Sequence, residues 1–180
     1  EVNKMEPQKM RKCLKLLSLL ISTLLIATAS ATIYNYMYIE GTGQISGGVL
    51  EWQLGGDAPA GATIDGTTVS NLALTTDEGN PRTYPECLLL KSLVGVDAHT
   101  VSVEVTASSG DVAQFETFTL RLFDTTPAEV ATLDIKNVGP ATSGLSIGPL
   151  ETWRVQFDLD PISNPTLGAT VTFEVTVTYE

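Results

Sequence analysis

From residue 32 onward, hydrophobic positions recur at every second residue, in short runs parted by Gly, Pro, Asp and Asn. That period belongs to strands, and no stretch of this region carries the 3.6-residue period of an amphipathic helix. The clearest run is ATVTFEVTVTYE at 169–180. Val171, Phe173, Val175, Val177 and Tyr179 fall on one face, and Thr170, Thr172, Glu174, Thr176, Thr178 and Glu180 on the other, so one side is core and one side wet. TWRVQFDL (152–159) turns Trp153, Val155, Phe157 and Leu159 inward, and TVSVEVTA (100–107) does the same with Val101, Val103 and Val105. ETFTLRLF (116–123) alternates through Phe118, Leu120 and Leu122, or through the opposite set. Weaker runs are GVLEWQL (48–54), TVSNLALT (68–75), the more continuously apolar CLLLKSL (87–93), and 130–138 with Leu133, Ile135 and Val138. The connectors, such as GDAPAG, DEGNP, SSGD and NPTLG, are turn chemistry. The pattern predicts an all-β chain: a single antiparallel β-sandwich of about nine strands, jelly-roll-like or immunoglobulin-like.

The first 31 residues follow a different rule. Arg11, Lys12 and Lys15 precede an apolar stretch, 16–26, broken only by Ser18, Ser22 and Thr23. The sequence ATASA then offers two A-x-A patterns, so a signal helix cleaved near Ala29 or Ala31 is expected. The apolar stretch is short for a retained anchor, which needs ~20 residues. Small residues lie after the apolar segment rather than before it, which argues against a type IV pilin leader. The expected organisation is a signal peptide at 1–31, an N-terminal strand at 32–40, a Gly-rich step at 41–48 and a sandwich at 49–180, in a secreted or cell-surface protein.

Removing the leader changes the charge. Residues 32–180 hold nineteen Asp and Glu against five Lys and Arg, a net charge of −14. A surface this acidic excludes nucleic acid, whose binding rests on neutralising phosphates. It leaves room for divalent cations at contacts between molecules. Only Cys87 remains beyond the leader, so no intrachain disulfide is expected, and its place before LLL suits a buried thiol. No N-x-S/T glycosylation sequon occurs.

Candidate chemistry is sparse. His99, the sole histidine, sits at a loop-to-strand junction, where it reads as a surface or capping residue rather than a base. No metalloprotease helix motif, nucleophile elbow or P-loop is present. Asp158 and Asp160 share one strand face and form the one candidate calcium pair, against the reading of two solvated carboxylates. Trp52 and Trp153 could form a ligand platform, but their strand positions point to the core. No cofactor and no catalytic residue is expected.

The strand next to the cleavage site, TIYNYMYI, breaks the one-wet-face rule. Tyr34, Tyr36 and Tyr38 line one face, and Ile33, Met37 and Ile39 line the other. Such a strand is expected to be covered on both sides, or half-buried with its tyrosine hydroxyls at a rim. It could close its own sheet, or it could complete the sheet of the next molecule by strand donation. Gly41, Gly43, Gly47 and Gly48 follow it and would serve as a hinge. The strand holding Val171, Phe173, Val175, Val177 and Tyr179 is the candidate acceptor edge.

The leader ending ATASA, the stretch TIYNYMYIEGTGQISGGVLEW, the middle PECLLLKSLVGVDAHTVSVEV and the tail GLSIGPLETWRVQFDLDP with ATVTFEVTVTYE together resemble the TasA/camelysin family of secreted filament proteins. Within that family the look is that of the archaeal bundling pilins. The resemblance lies in order and texture over the whole chain beyond the leader, without an invariant signature. It implies a sandwich that polymerises head to tail by donating its N-terminal strand, forming pilus-like fibres that bundle laterally in a biofilm matrix and hold cells together. Some relatives are classed as metallopeptidases, and one histidine with scattered carboxylates gives that no support. The expected function is therefore an extracellular filament subunit. The alternatives are a monomeric secreted module binding a glycan or protein, and behind it a secreted hydrolase.

Overall fold

The computed structural model describes residues 36–46, 48–65, 67–77, 80–166 and 169–179. The expected leader, Ile33, Tyr34 and Gly47 lie outside these residues. Eleven strands run in chain order: β1 (Tyr36–Ser46), β2 (Leu50–Leu54), β3 (Thr63–Asp65), β4 (Thr68–Asp77), β5 (Arg82–Ser92), β6 (His99–Gly110), β7 (Phe115–Phe123), β8 (Glu129–Asp134), β9 (Thr142–Ile147), β10 (Thr152–Pro161) and β11 (Thr170–Tyr179). The only helix among the described residues is a single 3-10 turn at Val112–Gln114. No helix there is long and apolar enough to cross a membrane.

The strands form two sheets packed as a sandwich. One has six strands in the order β3-β4-β1-β11-β6-β9, and the other has five in the order β2-β5-β10-β7-β8. All pairs are antiparallel except β1 with β11, which run parallel. The expected all-antiparallel sheet is thus corrected at one joint. Only β3–β4 and β7–β8 connect neighbours within a sheet, and every other connection crosses to the opposite sheet. Two strands beyond the expected nine, β3 and β9, form the edges of the larger sheet.

Alternation places the core. Val101, Val103, Val105, Phe118, Leu120, Leu122, Trp153, Val155, Phe157 and Leu159 are all buried, as their period-two pattern requires. Phe173 of β11 stands at the centre of an aromatic cluster, edge-on to Phe118 at 5.4 Å and tilted to Phe157 at 5.7 Å. Such pairs add about 0.5–1.5 kcal/mol beyond their buried area.

Candidate functional site

The N-terminal strand is the feature the sequence singles out, and it lies in the middle of a sheet. β1 is hydrogen-bonded to β4 on one side and to β11 on the other. Opposite β11 the register is Ile39↔Val171, Gly41↔Phe173, Gly43↔Val175 and Ile45↔Val177. Opposite β4, Tyr36 faces Asp77 and Gln44 faces Thr68. Tyr36, Met37, Tyr38 and Ile39 of the expected donor segment therefore belong to a strand bound in its own domain. β11 is accordingly an interior strand, flanked by β1 and β6, with Val171, Phe173, Val175 and Val177 buried and Tyr179 half-buried.

The expected boundary at residue 40 is not where the strand ends. β1 continues to Ser46, and Ile39, Gly41, Gly43 and Ile45 alternate into the core while Glu40, Thr42 and Gln44 face out. Gly41 and Gly43 are thus packing positions rather than hinge residues. A Cβ on Gly41 would stand 2.2 Å from Phe173 Cζ, well inside contact distance. A Cβ on Gly43 would touch the Trp52 indole at 3.5 Å. The link to β2 is confined to residues 47–49. Within it Gly48 is exposed, with open space where a Cβ would be, and its N–H donates to Tyr179 Oη at 3.2 Å.

The candidate chemical groups do not converge. Cys87 is buried in β5, and burial, with a smaller push from Asp57, raises its thiol pKa from 9.0 to about 12. A thiol so protected stays neutral and unreactive. Native protein is expected to react with a thiol reagent at least about a hundredfold more slowly than urea-unfolded protein, with labelling rates as the measurement. The raised pKa lends stability in full below about 9 and loses it as pH climbs toward about 12, because the unfolded chain releases that proton first. His99 belongs to the other sheet, where its ring meets Tyr179 edge-on at 5.7 Å. The cysteine and the histidine therefore make no nucleophile–base pair.

Asp158 already has a cation. Its Oδ2 lies 3.0 Å from Arg121 Nε, an ionic contact, and its Oδ1 accepts from Thr83 Oγ1 at 2.7 Å and Gln156 Nε2 at 2.9 Å. Arg121 also reaches Glu129 at 3.6 Å. The candidate calcium pair with Asp160 is thus half engaged by a guanidinium. Among the described residues no three His, Cys, Asp or Glu side chains gather as a metal site. Trp52 and Trp153 are both buried in the core and offer no platform.

One concavity lies on the outer face of the larger sheet, a shallow groove of about 340 Å3 bordered by Glu40, Thr42, Asn71, Thr172 and Glu174. It forms where two bulges face each other. β4 places Ser70 and Asn71 opposite the single residue Thr42, with Asn71 at φ 56°, and β6 slips register opposite Glu174 and Val175. No protein-family model and no curated protein matches the chain.

Proposed function

We propose that this protein is the secreted structural subunit of an extracellular filament, built when each copy inserts its N-terminal strand into the sheet of the next. The supporting observation is the place of β1. It is joined to the rest of the sandwich only through residues 47–49, yet it is bonded along both edges in mid-sheet. A strand joined to its domain at one end can be replaced by the same strand of another copy, with every main-chain bond remade. The acceptor slot in this reading is the space between β4 and β11, whose floor takes Ile39 and Ile45. An empty slot would bare two strand edges, so opening is productive only when a neighbour refills it. A leader cut beside the strand would free it only after export. The likeness to TasA/camelysin proteins and archaeal bundling pilins supports the same reading, including a role in a biofilm matrix and cell adhesion. The test is electron microscopy of filaments from protein in which β1 is either free or covalently tied to its own sheet.

At a net charge of −14 beyond the leader, such filaments repel one another sideways. Millimolar calcium is expected to raise light scattering by bundling them, and EDTA to reverse it. Scattering that ignores both would remove cations from the bundling mechanism.

The second reading is a monomeric sandwich that binds a glycan or protein. It is favoured by the seat of β1 in its own sheet and by the outer groove at Glu40 and Glu174. Compact monomers from the untied protein would select it.

A further inference from the structure

Beyond residue 31 the chain has five Lys and Arg, and their places are one-sided. Arg82 and Lys91 lie on β5, Arg121 on β7 and Arg154 on β10, and Lys136 closely follows β8. All of these strands belong to the five-stranded sheet. The six strands of the larger sheet carry no Lys or Arg, yet they carry Glu40, Asp65, Asp77, Glu104 and Glu174. The two outer faces of the sandwich therefore differ in kind.

On the larger sheet the outward glutamates are in line. Glu40 is the partner of Thr172, two residues before Glu174 on β11. Glu104 is the partner of Thr176, two residues after Glu174. Each step is one strand across and two residues along, roughly 8 Å, so the three form a diagonal with Glu174 in the middle. None of the three is held in an ion pair among the described residues.

The smaller sheet repeats the pattern in the opposite sign. Lys91 is the partner of Thr152, two residues before Arg154 on β10. Arg121 is the partner of Gln156, two residues after Arg154. Lys91, Arg154 and Arg121 thus form a diagonal of the same step, with Arg154 in the middle. The outer two are already engaged: Lys91 lies 3.8 Å from Glu51, and Arg121 contacts Asp158 and Glu129. Arg154 has no carboxylate partner among the described residues. Its guanidinium sits 4.7 Å above the Phe123 ring, and its neighbours across the strands, Phe123 and Leu89, are only half-buried. An arginine stacked on an accessible aromatic ring is the combination that anchors protein interfaces.

We infer that the outer face of the smaller sheet docks on the outer face of the larger sheet of a second copy, with Arg154 seated in the groove between Glu40 and Glu174. That groove, about 340 Å3, opens beside the middle of the glutamate diagonal. A guanidinium suits two nearby carboxylates, and the two diagonals set equal spacings of opposite charge against each other. The four central strands of the larger sheet offer roughly 600 Å2, near the ~800 Å2 that each partner of a stable complex buries. The pairing is selective, because two larger-sheet faces would oppose their glutamates with no cation between them. A contact between unlike faces leaves one of each kind free on every copy, so it repeats as an open stack. It requires neither strand insertion nor a metal. Between filaments it would be the lateral joint, to which calcium adds by quieting the acidic residues outside the contact.

The test is sedimentation velocity of the soluble protein, cleared of filaments by a prior spin, with EDTA and ~0.1 M salt, where repulsion beyond ~10 Å is screened and close pairs survive. Self-association is expected, and Glu174→Arg and Arg154→Glu should each weaken it at least about tenfold. Mixed one to one, the two variants should associate again, since each then meets the opposite charge at both faces. Asp97→Arg, in an exposed loop, makes the same charge change as Glu174→Arg and should not weaken association. Melting temperatures within about 4 °C of wild type show that the variants are folded. No association of the wild type, single variants that behave like it, or a mixture no better than either variant alone overturns the docking. Microscopy of the same variants separates this inference from the filament reading. Recovery in the mixture without filaments anywhere would leave the docking standing alone, and filaments whose bundling ignores both substitutions would do the reverse.

Discussion

Tying β1 to its own sheet is expected to abolish filaments, and reduction to restore them. Glu40 and Ala73 are direct partners in the antiparallel β1–β4 pair, and both face outward beside the buried pairs Ile39↔Leu74 and Gly41↔Leu72. Opposed residues in such a pair have Cα atoms about 4.5–5.5 Å apart, within the span a disulfide bridges. In Glu40→Cys/Ala73→Cys protein, the oxidised form holds the strand in the closed monomer. Strand exchange then cannot proceed without breaking a covalent bond. The oxidised protein should melt at or above the wild-type temperature, which separates loss of assembly from loss of folding. Cys87 does not compete, because its thiol is buried and its pKa is raised to about 12. Filaments of normal length from fully oxidised protein would end the strand-exchange reading. Deleting residues 32–40 is a blunter experiment, since it also removes the buried Ile39.

The second large effect concerns Gly41. In Gly41→Ala the new methyl would sit 2.2 Å from Phe173 Cζ and 2.6 Å from Cε1. The ring cannot simply swing aside, because Phe118 and Phe157 hold it from the other sheet. Overpacking of this kind costs about 3 kcal/mol, to be read from the urea midpoint. Phe173→Leu alone leaves a gap and also destabilises, but in the double variant the smaller side chain makes room for the methyl. The two changes should therefore couple, with the double costing less than the sum. A hinge role would predict the opposite: unchanged stability in Gly41→Ala, with assembly alone affected.

These glycines also show where the sequence was readable and where it was not. Strands such as 152–161 and 170–179 are legible because each inward position carries a large apolar side chain and each outward one a polar or half-exposed residue. The same alternation runs through 39–45, but two of its four inward positions are glycine, so hydrophobicity shows nothing there. The missing volume is supplied from elsewhere, by Phe173 and Trp52, and a period cannot reveal that. β3 is only three residues long, and β9 contains Gly144 at φ 76° with few buried side chains, so neither edge strand leaves a pattern. The first half of β5 was hidden by Pro85 and by a register slip opposite Val155 and Phe157. The parallel joint of β1 with β11 depends on pairing between distant segments, which local alternation does not encode. The candidate groups behaved as their settings suggested for Cys87 and both tryptophans, whereas the Arg121–Asp158 contact needed the neighbouring strands to be in place.

The β1–β11 joint also bears on the order of events during synthesis. Thr42 and Phe173, which meet across it, are 131 positions apart. Nearly every strand between them is laid down in alternating sheets, so neither layer can be completed early. The emerging chain has no finished half on which to rest, and β1 keeps one unsatisfied edge until residues 170–179 have been made. Contacts this distant in sequence form slowly. In an exported chain, as the filament reading requires, slow closure would keep the polypeptide in the extended state that passage through a membrane pore demands. Among the described strands, β11 thus acts as the timer for β1.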